Sequence, residues 1–210
     1  MAISARMALS KMARLPYVSA DSFPSELPPA NMLRMWAHST STLRPGLALG
    51  TACITALSLS PFLRETLALY CSIKFECEYI WNRHTDDARN AGLTDTHLQA
   101  LKDRDIGNRG VWTEEQVSFL AFLGDVIDRP EATNAAFSEA RKWFDERQIV
   151  EIITAQVRIL LRLVLVVSRL TIDKGFYYMW ARVATTLRVE PDTGMEGDDQ
   201  KAKQWANTEN

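Results

Sequence analysis

One stretch of the sequence carries side chains that could transfer protons. Between residues 75 and 92, Cys77, Trp81 and His84 follow one another at spacings of four and three residues, and Ala88 comes four residues later. On an α-helix these positions form one stripe, which places an imidazole on the apolar face, one turn from an indole and two turns from a thiol. An imidazole with the ordinary pKa of about 6.5 exchanges a proton near neutral pH. His84 is therefore our candidate acid–base residue.

A carboxylate precedes this stripe on the neighbouring predicted helix. Ser60 and Pro61 form a helix start, with a capping serine and a proline at the first helical position, and Glu65 is expected in the first turn. Two antiparallel helices could bring Glu65 to His84 as a carboxylate–imidazole pair fit to relay a proton. The spacing leaves simpler interpretations open: a core histidine bonded to a carbonyl, and a surface carboxylate beside a helix N-terminus.

Helical patterns fill most of the remaining chain, and no segment shows the sustained alternation that is typical of strands. The predicted helices cover residues 31–39, 43–58, 60–73, 75–91, 94–102, 113–128, 134–144, 146–171 and 176–187. We expect Gly92 to end the helix that carries His84. The fold class predicted from the residues is all-α, with an extended proline-rich arm at residues 1–30, a helical domain at residues 31–188 and a flexible tail at residues 189–210.

The composition excludes several classes of function. A net charge of −2 argues against a dedicated nucleic-acid binder. The most apolar segment, residues 149–170, is interrupted by charges, so we expect no membrane span and a cytoplasmic protein. The basic residues Arg6, Lys11 and Arg14 resemble a mitochondrial transit peptide only weakly.

Cysteine and histidine usage predicts neither disulfides nor a metal centre. The three cysteines, Cys53, Cys71 and Cys77, include no CxxC motif. Such sparse cysteines are typical of reduced thiols and do not match the usual zinc-binding patterns. His38 and His97, the remaining histidines, form no HxxxH or HxH pair with each other or with His84. We therefore expect no metal and no cofactor.

Three segments together resemble the carboxymuconolactone decarboxylase family, which shares its fold with the AhpD-type alkylhydroperoxidases. They are Leu63-Arg64-Glu65-Thr66-Leu67, Cys77-Glu78-Tyr79-Ile80-Trp81-Asn82-Arg83-His84 and Ala88-Arg89-Asn90-Ala91-Gly92-Leu93, and the resemblance extends over residues 12–172. It implies an AhpD-like helical bundle, a homo-oligomer (dimer, trimer or hexamer) and an N-terminal extension at residues 1–11. It also places Glu65 and His84 at the family's proton-relay positions, and Tyr79 and Trp81 at the aromatic positions of decarboxylase-type members.

The sequence departs from the peroxidase members of that fold at one decisive position. Those members carry CxxCxxxH, in which the thiol four residues before the histidine reacts with peroxide. Here Ile80 stands at that position and only the first cysteine, Cys77, is present. A disulfide cycle needs a second sulfur to resolve the sulfenate, so this helix cannot support one.

The function predicted from the sequence is therefore a cofactor-free lyase or isomerase that acts on a small cyclic organic acid, lactone or aromatic polyketide-like compound. His84 would move the proton and Glu65 would orient it, while Trp81, Tyr79 and Cys77 would line the pocket. Arg162 could hold a substrate carboxylate, although an ion pair with an acidic residue is the simpler role. Two alternatives stay open: a hydroperoxidase that uses Cys77 alone, and a non-catalytic helical oligomer that binds a ligand.

Overall fold

The described part of the chain is a set of helices joined by short turns. The computed structural model describes residue 13, residues 15–28 and residues 30–167, with side chains described up to residue 156 except at residue 54. Within this range lie eight α-helices and no strand, which confirms the predicted fold class. They are α1 Asn31–Trp36, α2 Thr40–Thr55, α3 Pro61–Lys74, α4 Glu78–Asn90, α5 Asp95–Asp103, α6 Glu114–Asp128, α7 Asn134–Ala140 and α8 Glu146–Val167.

Some predictions fall outside these residues. The extension at residues 1–11, the helix at 176–187 and the tail from residue 189 lie there. None of the helices within the described residues combines the length and the apolar character that crossing a bilayer requires.

Side-chain caps explain where most helices begin. The Ser60 hydroxyl accepts the backbone N–H of Leu63 at 3.3 Å, and Pro61 opens α3, as predicted. Thr113 and Gln116 form a capping box that opens α6. A second box, which the sequence analysis did not identify, opens α5: the Thr94 N–H donates to Nδ1 of His97 at 3.0 Å. Each box satisfies donors that the first helical turn leaves unpaired.

The start of α4 differs from the prediction by three residues. The predicted helix begins at Phe75, but α3 ends at Lys74 and α4 begins at Glu78, with Cys77 as its N-cap. Between them Glu76 adopts a left-handed φ of 53°, and the Cys77 N–H bonds the Ser72 carbonyl at 2.7 Å. This turn usually carries glycine, so the sequence contained no signal for it. Its effect is to fold α3 and α4 into an antiparallel hairpin.

The N-terminal arm is less extended than predicted. It contains a 3-10 turn at Ala20–Ser22, and Phe23 packs with residues of α1 and α2 in a small apolar cluster. Helix α2 begins at Thr40 rather than near residue 43, which places Pro45 inside the helix instead of in its first turn. A side chain at position 46 would overlap the ring of Trp36, so Gly46 permits the close approach of α1 to α2.

The main core lies between α3, α6 and α8. Its fully buried side chains include Leu69 of α3, Phe119, Leu120, Phe122 and Leu123 of α6, and Ile152 and Ile153 of α8. Burial of each such side chain contributes about 1.5–3 kcal/mol. Helix α3 packs against both α8 and α6, so the α3–α4 hairpin is held to this core through α3.

A polar network fixes the chain just before α3. The Glu151 carboxylate on α8 accepts hydrogen bonds from the backbone N–H and the hydroxyl of Ser58, at 2.8 and 2.9 Å. It also accepts a hydrogen bond from Nε of Arg147 at 2.8 Å. Arg147 also donates to the Ala56 carbonyl at the end of α2. Partial desolvation raises the pKa of the Glu151 carboxyl, but the bonds from Arg147 and Ser58 outweigh it and hold that pKa below its usual value. The network ties α8 to the segment that starts α3.

Candidate active site

The α3–α4 hairpin brings two of the predicted site residues into contact. Oε2 of Glu65 lies 2.8 Å from Nδ1 of His84. The His84 side chain retains 13% of its exposure and the Glu65 side chain 19%, so both are mostly enclosed without being sealed from solvent. The predicted meeting of the carboxylate and the imidazole across the two helices is confirmed.

The structure does not show the simpler alternatives, a surface carboxylate beside the N-terminus of α3 and a core histidine bonded to a backbone carbonyl. Glu65 is the fifth residue of α3, beyond the first turn in which the sequence analysis placed it, and its carboxylate faces α4. His84 bonds this carboxylate rather than a backbone carbonyl. The position of Glu65 follows from the start of α3 at Pro61, whereas its contact with His84 follows from the antiparallel turn at Glu76, which brings the second turn of α3 beside the middle of α4.

The hydrogen-bond pattern fixes the chemistry available to the imidazole. An ionised carboxylate only accepts, so Nδ1 of His84 donates its hydrogen to Glu65. Among the described residues, none forms a hydrogen bond with Nε2 of His84. In the neutral ring Nε2 therefore carries a lone pair that can take a proton, and Glu65 stabilises the imidazolium that results.

The two aromatic residues predicted to line a pocket are placed differently from each other. Trp81 packs against the main core, and the ammonium group of Lys102 on α5 lies 4.9 Å from the centre of its ring. Tyr79 is exposed and lies five residues before His84, which places it about 140° around α4. Trp81 is thus the aromatic residue on the side of α4 near the Glu65–His84 pair. No described contact joins Tyr79 to that pair.

The cysteine of this helix is enclosed. Cys77 is 7% exposed, and desolvation raises the pKa of its thiol despite the opposing hydrogen bonds from the backbone at Ile80 and Tyr79. Ile80, at the position of the reactive thiol in peroxidase members, is 1% exposed and belongs to the core. A thiol with a raised pKa is mostly protonated at neutral pH and is a poor nucleophile.

Two further features bear on substrate binding. Arg162 belongs to α8, but its side chain lies outside the described residues. A cleft of about 140 Å³ is lined by Tyr70, Ile73, Lys74, Arg104 and Ile106, at the C-terminal end of α3. This cleft is separate from the Glu65–His84 pair, which lies toward the other end of that helix.

Sequence reasoning missed one acidic residue beside the pair. A carboxylate oxygen of Asp87, a ring nitrogen of His84 and a carboxylate oxygen of Glu65 all lie within 4.8 Å of one another. Asp87 follows His84 by three residues, a spacing that puts both on one face of α4. The available signal was the His-x-x-Asp spacing of residues 84 and 87, which pairs of histidines alone do not reveal.

Comparison with known proteins identifies the fold. No known protein family and no curated protein matches the chain. The chain is similar to a crystal structure of a protein of unknown function from Agrobacterium tumefaciens, which is described as a candidate antioxidant defence protein AhpD. The two share 20% sequence identity and a TM-score of 0.54, over 75% of this chain and 95% of that one. The chain has an AhpD-like fold. This likeness confirms the helical bundle predicted from the sequence and carries no activity with it.

Proposed function

We propose that the protein is a lyase or isomerase, resembling carboxymuconolactone decarboxylases, that transfers a proton through the Glu65–His84 pair. The observation that carries this proposal is the 2.8 Å contact between Nδ1 of His84 and Oε2 of Glu65, which leaves the other ring nitrogen unbonded by the described residues. A positioned acid–base group of this kind typically contributes about 10²–10⁴-fold to a rate.

The proposed step acts on carbon next to a carbonyl group. In isomerisation, Nε2 of His84 takes a proton from that carbon, the C–H electron pair enters the enolate, and the imidazolium returns the proton at a second position. In decarboxylation, His84 starts as the imidazolium: the C–C bond breaks, carbon dioxide leaves, the electron pair of that bond enters the enolate, and the imidazolium protonates it. A proton from water then recharges the ring. Glu65 accepts a hydrogen bond from Nδ1 throughout and stabilises the charged ring. Neither step requires a cofactor.

The enclosed thiol favours this proposal over a hydroperoxidase. A peroxidase that relied on Cys77 alone would need an accessible thiolate, but burial raises the pKa of this thiol and leaves it 7% exposed. Ile80 supplies no second sulfur. Acid–base chemistry uses the groups that the hairpin does bring together.

The proposed substrate is a small cyclic organic acid, lactone or aromatic polyketide-like compound. Trp81, on the side of α4 near the pair, would supply an apolar wall, and the Lys102 ammonium over its ring would supply a positive charge for an acidic substrate. The homo-oligomer implied by the family resemblance belongs to the same proposal, and Arg162 would reach the substrate carboxylate in it.

The experiment that tests the function uses the whole chain and an unbiased mixture of metabolites. Extract from cells that lack the protein is incubated with the wild-type protein, with His84→Gln and with Cys77→Ser. Mass spectrometry then follows compounds that lose carbon dioxide, lose water, or are replaced by an isomer. We expect a change with wild type and with Cys77→Ser, and none with His84→Gln.

Two other results would reject the proposal. A change that disappears in Cys77→Ser but not in folded His84→Gln would favour the hydroperoxidase. Saturable binding of a metabolite that stays chemically unchanged, and that Glu65→Gln does not affect, would favour a ligand-binding oligomer.

A further inference from the structure

Three groups that commonly bind metals converge at one point of the α3–α4 hairpin. One ligand atom each from Glu65, His84 and Asp87 lies within 4.8 Å of the other two. The first two side chains are mostly enclosed, whereas Asp87 is exposed. The cluster is therefore open to solvent on the side of Asp87 and enclosed on the side of α3.

Within the described side chains, the carboxylates of this cluster have His84 as their only partner that can carry a positive charge. Among the described residues, no lysine or arginine forms an ion pair with Glu65 or with Asp87. The adjacent Asp86 differs, because Arg89 lies 3.4 Å from its carboxylate. Two carboxylates around one imidazole repel each other, and a bound cation would remove that repulsion.

Two-metal sites in helical bundles combine a glutamate from one helix with a Glu-x-x-His pair on another. The hairpin has the same three-residue spacing in the reverse order, His84-x-x-Asp87, beside Glu65 of α3. Metal–ligand bonds of about 2.0–2.1 Å require ligand atoms about 3.0–3.4 Å apart. The Glu65–His84 contact of 2.8 Å needs to open only slightly. Asp87 needs to approach by a side-chain rotation, which its exposure permits.

We propose that Glu65, His84 and Asp87 bind one divalent transition-metal cation, with water completing its coordination. One imidazole nitrogen and two carboxylate oxygens suit Zn²⁺, Co²⁺, Mn²⁺ or Fe²⁺, whereas Mg²⁺ and Ca²⁺ prefer ligand sets of oxygen alone. The cation takes the lone pair of Nδ1 of His84, the nitrogen that faces Glu65, and the hydrogen of the neutral ring then lies on Nε2. Nε2 keeps no lone pair to accept the substrate proton, so a bound cation slows the proposed reaction.

The test measures binding by the full chain, free of tags and stripped of metal with a chelator. Titration calorimetry with Zn²⁺ is expected to give one site per chain, and Co²⁺ to give visible absorption bands of a nitrogen- and oxygen-ligated ion. Asp87→Asn and His84→Gln are each expected to weaken binding by at least about tenfold. The matched control, Asp86→Asn, removes an adjacent carboxylate of equal charge and is expected to leave the affinity within about twofold, because Asp86 is outside the cluster.

Several results would overturn the proposal. They are the absence of Zn²⁺ binding, an affinity that Asp87→Asn leaves unchanged, equal weakening by Asp86→Asn, and a Co²⁺ spectrum with the charge-transfer bands of thiolate ligands. Binding is measured without substrate, and turnover is measured with a chelator present. The metal site can therefore fail while the proton-transfer proposal stands, and the reverse also holds.

Discussion

The contact between Glu65 and His84 is expected to stabilise the folded protein by an amount that can be measured. Hydrogen bonds to charged groups contribute about 1.5–3 kcal/mol when buried. Here the two side chains keep 19% and 13% of their exposure, so water screens part of the interaction. We therefore expect a coupling free energy of about 1–2 kcal/mol, below the buried limit and above that of an exposed pair.

A double-mutant cycle isolates this coupling from the packing that each side chain loses. The wild type, Glu65→Ala, His84→Ala and the double variant are unfolded in urea at pH 7, with helical circular dichroism as the signal. The difference between the double variant and the sum of the single variants gives the coupling energy.

A distant acidic residue provides the control for this cycle. Glu139 on α7 is paired with Lys142 rather than with His84. The cycle of Glu139→Ala with His84→Ala is expected to show additivity within about 0.3–0.5 kcal/mol. A coupling equally small for Glu65 and His84 would refute the claim that the two residues interact in solution.

Three further predictions concern the scaffold and the thiol. The folded-state pKa of Glu151 lies below its unfolded value of about 4.3, so its carboxylate stabilises the fold above that pH and loses this effect as the pH falls. Glu151→Gln is expected to lower the free energy of unfolding by about 1–2 kcal/mol at pH 7 and by less near pH 3. An equal loss at both pH values would contradict the lowered pKa of Glu151. His97→Ala is expected to lower the free energy of unfolding by about 1–2 kcal/mol, and His97→Gln, which restores the cap seen with Gln116, to recover part of it. Cys77 is expected to react with a thiol reagent far more slowly in the native protein than in urea, whereas rapid native labelling would revive the hydroperoxidase.

The sequence was sufficient for the fold class and for naming Glu65 and His84 as a candidate pair. Ser60 and Pro61 determine the start of α3 locally, and Gly92, at φ 101°, ends α4 as predicted. Because both signals are local, the approximate positions of Glu65 and His84 followed from them. Their meeting also requires the register of the hairpin, which the turn at Glu76 sets and for which the sequence contained no signal.

The errors arose where tertiary structure outweighs local preference. Glu76 takes a left-handed conformation that its residue type disfavours, so the true start of α4 could not be predicted. Pro45 lies within α2, although its position alone favours a first turn. The approach of Asp87 to Glu65 depends on the register of the hairpin, which is set by the same turn at Glu76.

The rate of the His84→Gln protein on the metabolite that the wild type consumes tests the central claim most directly. With helical circular dichroism matching the wild type and a chelator present, we predict that kcat/KM falls by about 10²–10⁴-fold. Turnover at the wild-type rate by this folded variant would contradict the assignment of His84 as the proton-transfer residue.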